Sequence, residues 1–360
     1  MKLVLLGDGE SPHLLKWARA LAPQVELWAA SSRGFAPDFD ALVPTSRRLA
    51  LDTRPDFEGG NAGLLRQLPR LAAWLKTAQP DWIHAHYLTS HGTLAWLATR
   101  LLGAPGRLVG SAWGSDILVT PDRSPLLRWL TTRVLRACVL TTSDSQVMAE
   151  RMRALGAGEV MTFPFGLEAL PPAPGAKQDH LVFANRGLET LYDPGRVLRL
   201  FAGLAAAWPD AQLVVANSGS LAQALQQQAA DLGVADRVRF IGRVDATTQA
   251  GWYAQARWYV SLPASDSVSV SVLEALAHGC IPILSDLPAN RELVRHGDNG
   301  WIAVGSSLPT VADLQPLLNR ADTIAAANHA WVAENALFGP SVSAFLAQLR
   351  ALDANRHLPS

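Results

Sequence analysis

Ser261-Leu-Pro-Ala-Ser-Asp266-Ser-Val-Ser269-Val-Ser-Val272-Leu-Glu274-Ala-Leu-Ala-His278-Gly279 is the stretch whose reading decides the fold. The apolar run Trp258–Leu262 reads as a buried strand. Pro263–Ser267 reads as a turn. From Val272 the chain carries strong helix formers, stopped by Gly279. A strand that turns directly into a helix leaves the first helical amides without partners, and those amides, together with the helix dipole, attract an anion such as a phosphate. The amides of Ser269, Val270, Ser271 and Val272 are the candidates here. Asp266 lies on the turn and Glu274 inside the helix. A carboxylate on each side of a phosphate-binding helix start suits a sugar nucleotide, which offers hydroxyls on both sides of its diphosphate. One competing reading stands beside this. Ser267–Val272 alternates polar and apolar residues as a half-buried strand would, which would leave Glu274 a solvated surface charge.

The chain has 360 residues, too many for one ordinary core and suited to two domains. Hydrophobic residues make up 49% and charged residues 17%, which predicts a core-rich globular protein and argues against disorder. Lys+Arg and Asp+Glu are both 31, so no global charge draws the chain to nucleic acid. The only cysteines, Cys138 and Cys280, sit in apolar runs and are expected as buried free thiols in a reducing compartment. The opening apolar run is too short for a signal-peptide core, and no run is long enough to span a membrane. A cytoplasmic protein is expected.

An alternating β/α rhythm runs through both halves. Leu3–Leu6 is predicted as a parallel strand, followed by the turn Gly7–His13 and the helix Leu14–Leu21. Asp38 and Asp40 have the spacing of a metal-binding pair but no preceding strand, so they read as a solvated loop. Leu64–Lys76 is predicted as one helix. Trp82–Tyr87 is a strand ending in His84 and His86; the two histidines are assigned to opposite faces, which leaves at most one for a cleft. His-x-His also begins the metal site of some hydrolases, but no convincing further ligands follow it. Ser124–Ala137 is rich in Leu and Arg, a pattern that either packs one face on a core or rests on an anionic membrane. Val139–Ser143 is predicted as the last strand of the first half. The Pro/Gly-rich segment 163–175 is predicted as the interdomain linker. The pattern restarts with Leu181–Ala184, and later strands are placed at 213–216, 238–242, 281–285 and 301–304.

Asp266, Glu274-Ala-Leu-Ala-His-Gly279, Ile281-Pro-Ile-Leu-Ser285, Arg291-Glu292-Leu-Val, Gly297 and Asn299-Gly300 together resemble the C-terminal signature of family 4 glycosyltransferases. The resemblance is sharp from Asn185 to Gly300 and departs in having Asp266 where the family usually has Glu. It implies an α/β protein of the GT-B fold, two Rossmann-like domains facing across a cleft. The expected boundaries are 1–168 for an acceptor domain, 169–340 for a nucleotide-sugar domain, and 341–360 for a helix that can cross back to the first. It implies retaining, metal-independent transfer of sugar from a nucleotide-sugar donor to a glycan or lipid-linked acceptor, with surface-polysaccharide assembly as the setting. No cofactor and no nucleic-acid partner are expected, and peripheral contact with the inner membrane face fits the Ser124–Ala137 pattern.

The resemblance also assigns roles. Arg186, after the strand Leu181–Ala184, stands where the family places an Arg on the donor diphosphate. The family's nearby Lys is replaced near Tyr192, which would shift its duty to Arg196. Gly219 closes a strand-and-glycine turn and Arg243 lies where main-chain groups usually hold the base, so both are placed in the nucleotide site with Glu274. Trp113 stands at the position of the family's Thr-x-His-Gly histidine. It is expected to stack on a sugar, with Asp116 or His86 supplying the polar contact. Two rival functions stand beside this one. One is a metal-dependent hydrolase built on His84 and His86. The other is a catalytically inactive nucleotide-sugar-binding protein of the same fold.

Overall fold

A computed structural model describes residues 1–53 and 62–354. The chain divides into two compact units, Met1–Phe163 with Phe338–Ser360, and Pro164–Leu337.

The first unit is built on a seven-stranded sheet. Its strands are β1 (Lys2–Gly9), β2 (Glu26–Phe35), β3 (Arg48–Ala50), β4 (Trp82–His86), β5 (Arg107–Ser111), β6 (Cys138–Ser143) and β7 (Glu159–Thr162). Their order in space is β3-β2-β1-β4-β5-β6-β7, and every pairing is parallel. Parallel strands need crossover connections, and the helices that make them cover both faces of the sheet. Central strands therefore read as unbroken apolar runs, and Leu3–Leu6 is wholly buried. The order reverses between β1 and β4. In such sheets ligands bind beyond the strand carboxyl ends at that reversal.

Several boundaries differ from the sequence reading. The predicted helix 64–76 is two helices, Ala62–Arg66 and Leu68–Ala78. Pro69 explains the break, because it lacks the amide that a continuous helix would direct at Leu65. A further strand, β7, follows β6, so Val139–Ser143 is not the last strand of the first half. Asp38 and Asp40 lie on a 3-10 turn and pair with Arg19 at 2.5 Å and Arg48 at 2.7 Å, as a solvated loop would. Both cysteines are buried and free, and burial pushes the Cys138 thiol up to about 12.

His84 and His86 do not point to opposite faces. Side chains two apart on a strand share a face, and both rings are buried with centroids 4.4 Å apart. Trp17 packs edge-on against them at 4.7 and 5.4 Å. Phe338 and Phe345 of the last helix, Phe338–Ala354, press on the same indole at 5.0 and 5.4 Å. That helix is further tied to the first unit by Asp353, which accepts from Trp82 Nε1 at 2.9 Å and pairs with Arg107 at 3.1 Å.

The second unit holds a six-stranded parallel sheet: β8 (Gln178–Ala184), β9 (Gln212–Ala216), β10 (Val238–Gly242), β11 (Ala256–Ser261), β12 (Ile281–Ser285) and β13 (Trp301–Ala303). The spatial order is β10-β9-β8-β11-β12-β13, so the reversal falls between β8 and β11. Those two strands end at Asn185-Arg186 and at Leu262. Ser267–Val272 is not a strand. A helix runs over Val270–Ala277 with Ser269 as its N-cap, and Gly279 leaves it at φ +74°.

Candidate active site

The carboxyl ends of β8 and β11 bring together residues far apart in sequence. Arg186 follows β8 by two positions, and Asp266 and Ser269 lie between β11 and the Val270–Ala277 helix. The Arg186 guanidinium donates to Asp266 Oδ2 at 2.6 Å and to the hydroxyl of Ser269. Both members of the Arg186–Asp266 pair are about one-fifth exposed. Burial raises the Asp266 carboxyl pKa, and the adjacent Arg186 opposes that rise. Asp266 also accepts from Ser267 N at 3.0 Å, which shapes the turn. A cation is thus held at the first turn of a helix, next to amides that have no helical acceptor.

Of the four amides assigned from sequence, Val272 N is engaged: it donates to Ser269 O at 3.0 Å. Val270 and Ser271 are the first two residues of the helix, so their amides have no acceptor within it. Tyr192 is a residue that sequence reasoning did not assign to the site. Its ring lies 4.5 Å from the Arg186 guanidinium carbon, where a Lys was expected from the family pattern. Gly187 makes room for it, since a Cβ there would come 3.2 Å from that ring. Arg196 does not take over the missing Lys role. It is turned onto the carbonyl of Gly305 at 2.5 Å.

Glu274 lies one turn inside the helix. Its Oε2 accepts from Tyr253 OH and Gln249 Nε2, both at 3.0 Å. Asn185 Nδ2 donates to Tyr253 OH at 2.7 Å, and Tyr259 OH donates to Asn185 Oδ1 at 2.9 Å. This chain couples the ends of β8 and β11 to Glu274. Its tyrosines were out of reach of sequence reasoning, because β8–β11 pairing brings Tyr259 to Asn185 and the packing of the helix Ala246–Gln255 brings Tyr253 there. Gly219 packs closely on the 188–189 segment: a Cβ would stand 2.3 Å from Leu188 O. Arg243 is exposed and donates to Ser218 Oγ at 2.9 Å.

In the first unit, His13, Tyr87 and Trp113 gather at the carboxyl ends of β1, β4 and β5. The Trp113 ring lies 4.5 Å from His13 and stacks with Tyr87 at 6.0 Å. All three are half-buried. Trp113 Nε1 donates to His86 Nδ1 at 3.0 Å, which binds the buried histidine to the half-buried indole. Asp116 is not available for a sugar contact. It is buried, and its two oxygens accept from Leu88 N at 2.8 Å and Trp113 N at 2.9 Å. Burial raises its carboxyl to about 6. Burial also lowers His84 to about 3 and His91 to about 4, and lowers His86 strongly.

The hydrolase reading lacks ligands. Among the described residues no group of three or more His, Cys, Asp or Glu has metal-holding geometry. His84 Nε2 is already bonded to Ser111 Oγ at 2.7 Å.

Two known families divide the chain between them. Residues 2–145 match the family described as glycosyl transferase 4-like, and residues 172–314 match glycosyl transferases group 1. The chain belongs to the GT4-like glycosyltransferases. The curated relatives of this glycosyltransferase include D-inositol 3-phosphate glycosyltransferase 2 of Catenulispora acidiphila, 28% identical over 82% of this chain and 78% of that protein. They also include the phosphatidyl-myo-inositol mannosyltransferase of Mycobacterium leprae, 26% identical over 88% of this chain and 85% of that protein. Among solved structures, HepE of Anabaena in complex with UDP superposes with a TM-score of 0.77 at 16% identity, covering 98% of this chain and 100% of that one. That likeness identifies the GT-B fold. No described helix of the glycosyltransferase is long and apolar enough to cross a membrane.

Proposed function

We propose that this glycosyltransferase moves a sugar, with retention of anomeric configuration and without a metal ion, from a nucleotide sugar to a glycan or lipid-linked acceptor. The observation that carries this reading is the Arg186 guanidinium held by Asp266 and Ser269 at the start of the Val270–Ala277 helix. A bidentate cation beside open helical amides is suited to stabilise a departing diphosphate without Lewis-acid help. HepE, which has the same fold, was crystallised with UDP and with UDP-glucose. The inositol-phosphate and phosphatidylinositol acceptors named for two relatives favour a phosphorylated or lipid-borne polyol acceptor. Surface-polysaccharide assembly, on the cytoplasmic side and in peripheral contact with the membrane, is consistent with such an acceptor.

The test is NMR of the protein with UDP-, GDP- and dTDP-sugars in the presence of a chelator. Donor cleavage that first releases the α-anomer from an α-linked donor is expected. Release of the β-anomer would overturn retention, and a requirement for added metal would overturn metal independence. Donor binding with no turnover toward any acceptor would favour the inactive, binding-only protein, for which the departures at Trp113 and Asp266 are the motive.

Asp266 and Glu274 are expected to separate in function. Asp266→Asn keeps the bond to Ser267 N but removes the charge facing Arg186 and the donor sugar. Turnover should fall about 10- to 100-fold, the loss of one charged hydrogen bond in the transition state. Nucleoside diphosphate affinity should change less, because Ser269 still holds Arg186. Steady-state kinetics and calorimetry read the two effects; full activity of Asp266→Asn would remove it from the reaction. Glu274→Gln keeps an acceptor for Tyr253 and Gln249 and should stay folded. It should weaken nucleoside diphosphate by about 1–3 kcal/mol through a lost charged bond to ribose. Unchanged calorimetric affinity would contradict the ribose role.

A further inference from the structure

Within the first unit, at the amino-terminal edge of its sheet, an open cavity of about 500 Å³ lies between the helices Thr93–Leu102 and Pro125–Ala137. It is at the opposite end of the strands from His86 and Trp113. Four arginines wall it: Arg100, Arg107, Arg133 and Arg136. Among the described residues no carboxylate lines it. Arg107 is fixed there by Asp353 at 3.1 Å and by the Leu352 carbonyl at 3.2 Å, and it lies 4.2 Å over the Trp82 ring. Among the described residues Arg100, Arg133 and Arg136 form no ion pair. Arg128, on the same helix, differs: it is neutralised by Asp122 at 2.5 Å. In a chain with a formal net charge of zero, three uncompensated guanidiniums around one cavity are a local departure that calls for an anion.

The rim names the kind of anion. Leu126, Trp129, Arg133 and Arg136 follow one another at helical spacing and share one outward stripe. The first half of the stripe is apolar and open, with Leu126 64% and Trp129 47% exposed. The second half is cationic. Trp129 is braced by Trp96 at 6.2 Å and lies 5.4 Å from the Arg133 guanidinium carbon. Indole and leucine beside arginine is the chemistry of a lipid–water interface, where the ring enters the head-group layer and the cations take its phosphates. A soluble phosphate would account for the arginines but not for the exposed apolar half.

We propose that the cavity walled by Arg100, Arg107, Arg133 and Arg136 is a phosphate site that seats the head group of an anionic phospholipid, with Trp129 and Leu126 inserted beside it. This rests on the reading of peripheral membrane contact and supplies its site and lipid class. It is independent of sugar transfer, because vesicle binding is read without any sugar nucleotide.

The experiment is co-sedimentation of the purified protein with phosphatidylcholine vesicles, with and without phosphatidylglycerol. Binding is expected only when phosphatidylglycerol is present. The double variant Arg133→Glu/Arg136→Glu should bind those vesicles about tenfold or more weakly, given on the order of fivefold per basic residue at such a surface. Its melting temperature and its affinity for nucleoside diphosphate should match the parent; if the double reversal lowers the melting temperature, Arg133→Gln/Arg136→Gln replaces it. Trp129→Ser should weaken binding with no change in charge. Equal binding to both vesicle types, binding to neither, or undiminished binding by the charge variants would overturn the proposal. Thermal stabilisation by inorganic phosphate without vesicle binding would assign the cavity to a soluble phosphorylated ligand instead.

Discussion

Arg186→Ala is expected to lower the affinity for free nucleoside diphosphate about 10- to 150-fold, the equivalent of about 1.5–3 kcal/mol for a charged hydrogen-bonding partner lost from a partly buried site. A second loss comes with it. Arg186 is the countercharge of Asp266, and both side chains are about one-fifth exposed. Removing the cation leaves a largely buried carboxylate with no compensating charge, which should cost about 2–3 kcal/mol of stability in the second unit. Arg186→Lys separates the two effects. It keeps the charge near Asp266 but cannot reach Asp266 and Ser269 together as a fork does. Stability should largely recover while diphosphate affinity stays low. Calorimetry with the bare diphosphate, at a temperature where each variant is folded, makes the comparison. Unchanged affinity in Arg186→Ala would take this residue out of the site, and with it the main support for the proposed transfer mechanism.

The first unit should lose roughly 3 kcal/mol or more of stability between pH 7 and pH 5, and the histidines decide it. His84 and His91 are held at about 3 and about 4 by burial, against 6.5 when exposed. For a base whose folded pKa is depressed, the unfolded chain takes up the proton first. Its stabilisation is complete above about 6.5 and drains away as pH falls toward the folded value. At pH 5 each has lost about 2 kcal/mol. His86 is lowered in the same direction and adds to the loss. Asp116 works the other way. Its folded value is raised to about 6 from 3.8, so the folded protein binds its proton first and gains stability as pH falls through 6. From pH 7 to 5 that returns only about 1.4 kcal/mol. Denaturant unfolding followed by tryptophan fluorescence should therefore show the midpoint falling below pH 6.5. His84→Gln should flatten the slope and Asp116→Asn should steepen it. A midpoint constant from pH 7 to 5 would mean that these histidines are not held neutral.

Much of the architecture was readable in the chain itself. Parallel strands buried on both faces must be continuous apolar runs, and Leu3–Leu6, Leu181–Ala184 and Ile281–Ser285 announce themselves that way. Arg186, Asp266 and Ser269 could be nominated because each stands at a strand end or helix start, where an α/β sheet places ligands, and Glu274 because it lies one turn into that same helix. The helices Thr93–Leu102, Pro194–Ala207 and Ala321–Asn335 escaped notice. Only Ala321–Asn335 lacks an amphipathic period; Thr93–Leu102 and Pro194–Ala207 carry a clear one.

Tertiary structure alone decided which nominated groups are free to act. Asp116 has the chemistry of a polar contact for a sugar, but its oxygens are taken by the amides of Leu88 and Trp113. Arg196 looked like a spare cation, but it caps carbonyls beyond β13. Tyr192 lies under Arg186 because a 3-10 turn folds it back, and Tyr253 reaches Glu274 because a helix and a strand pack across Asn185. The arginines of the cavity come from two helices and a strand whose neighbourhood no local pattern encodes. Sequence specifies what each residue is able to do through its own chemistry and its local period. Whether it does so depends on which partners the packing brings within hydrogen-bond range, and packing is a property of the whole chain.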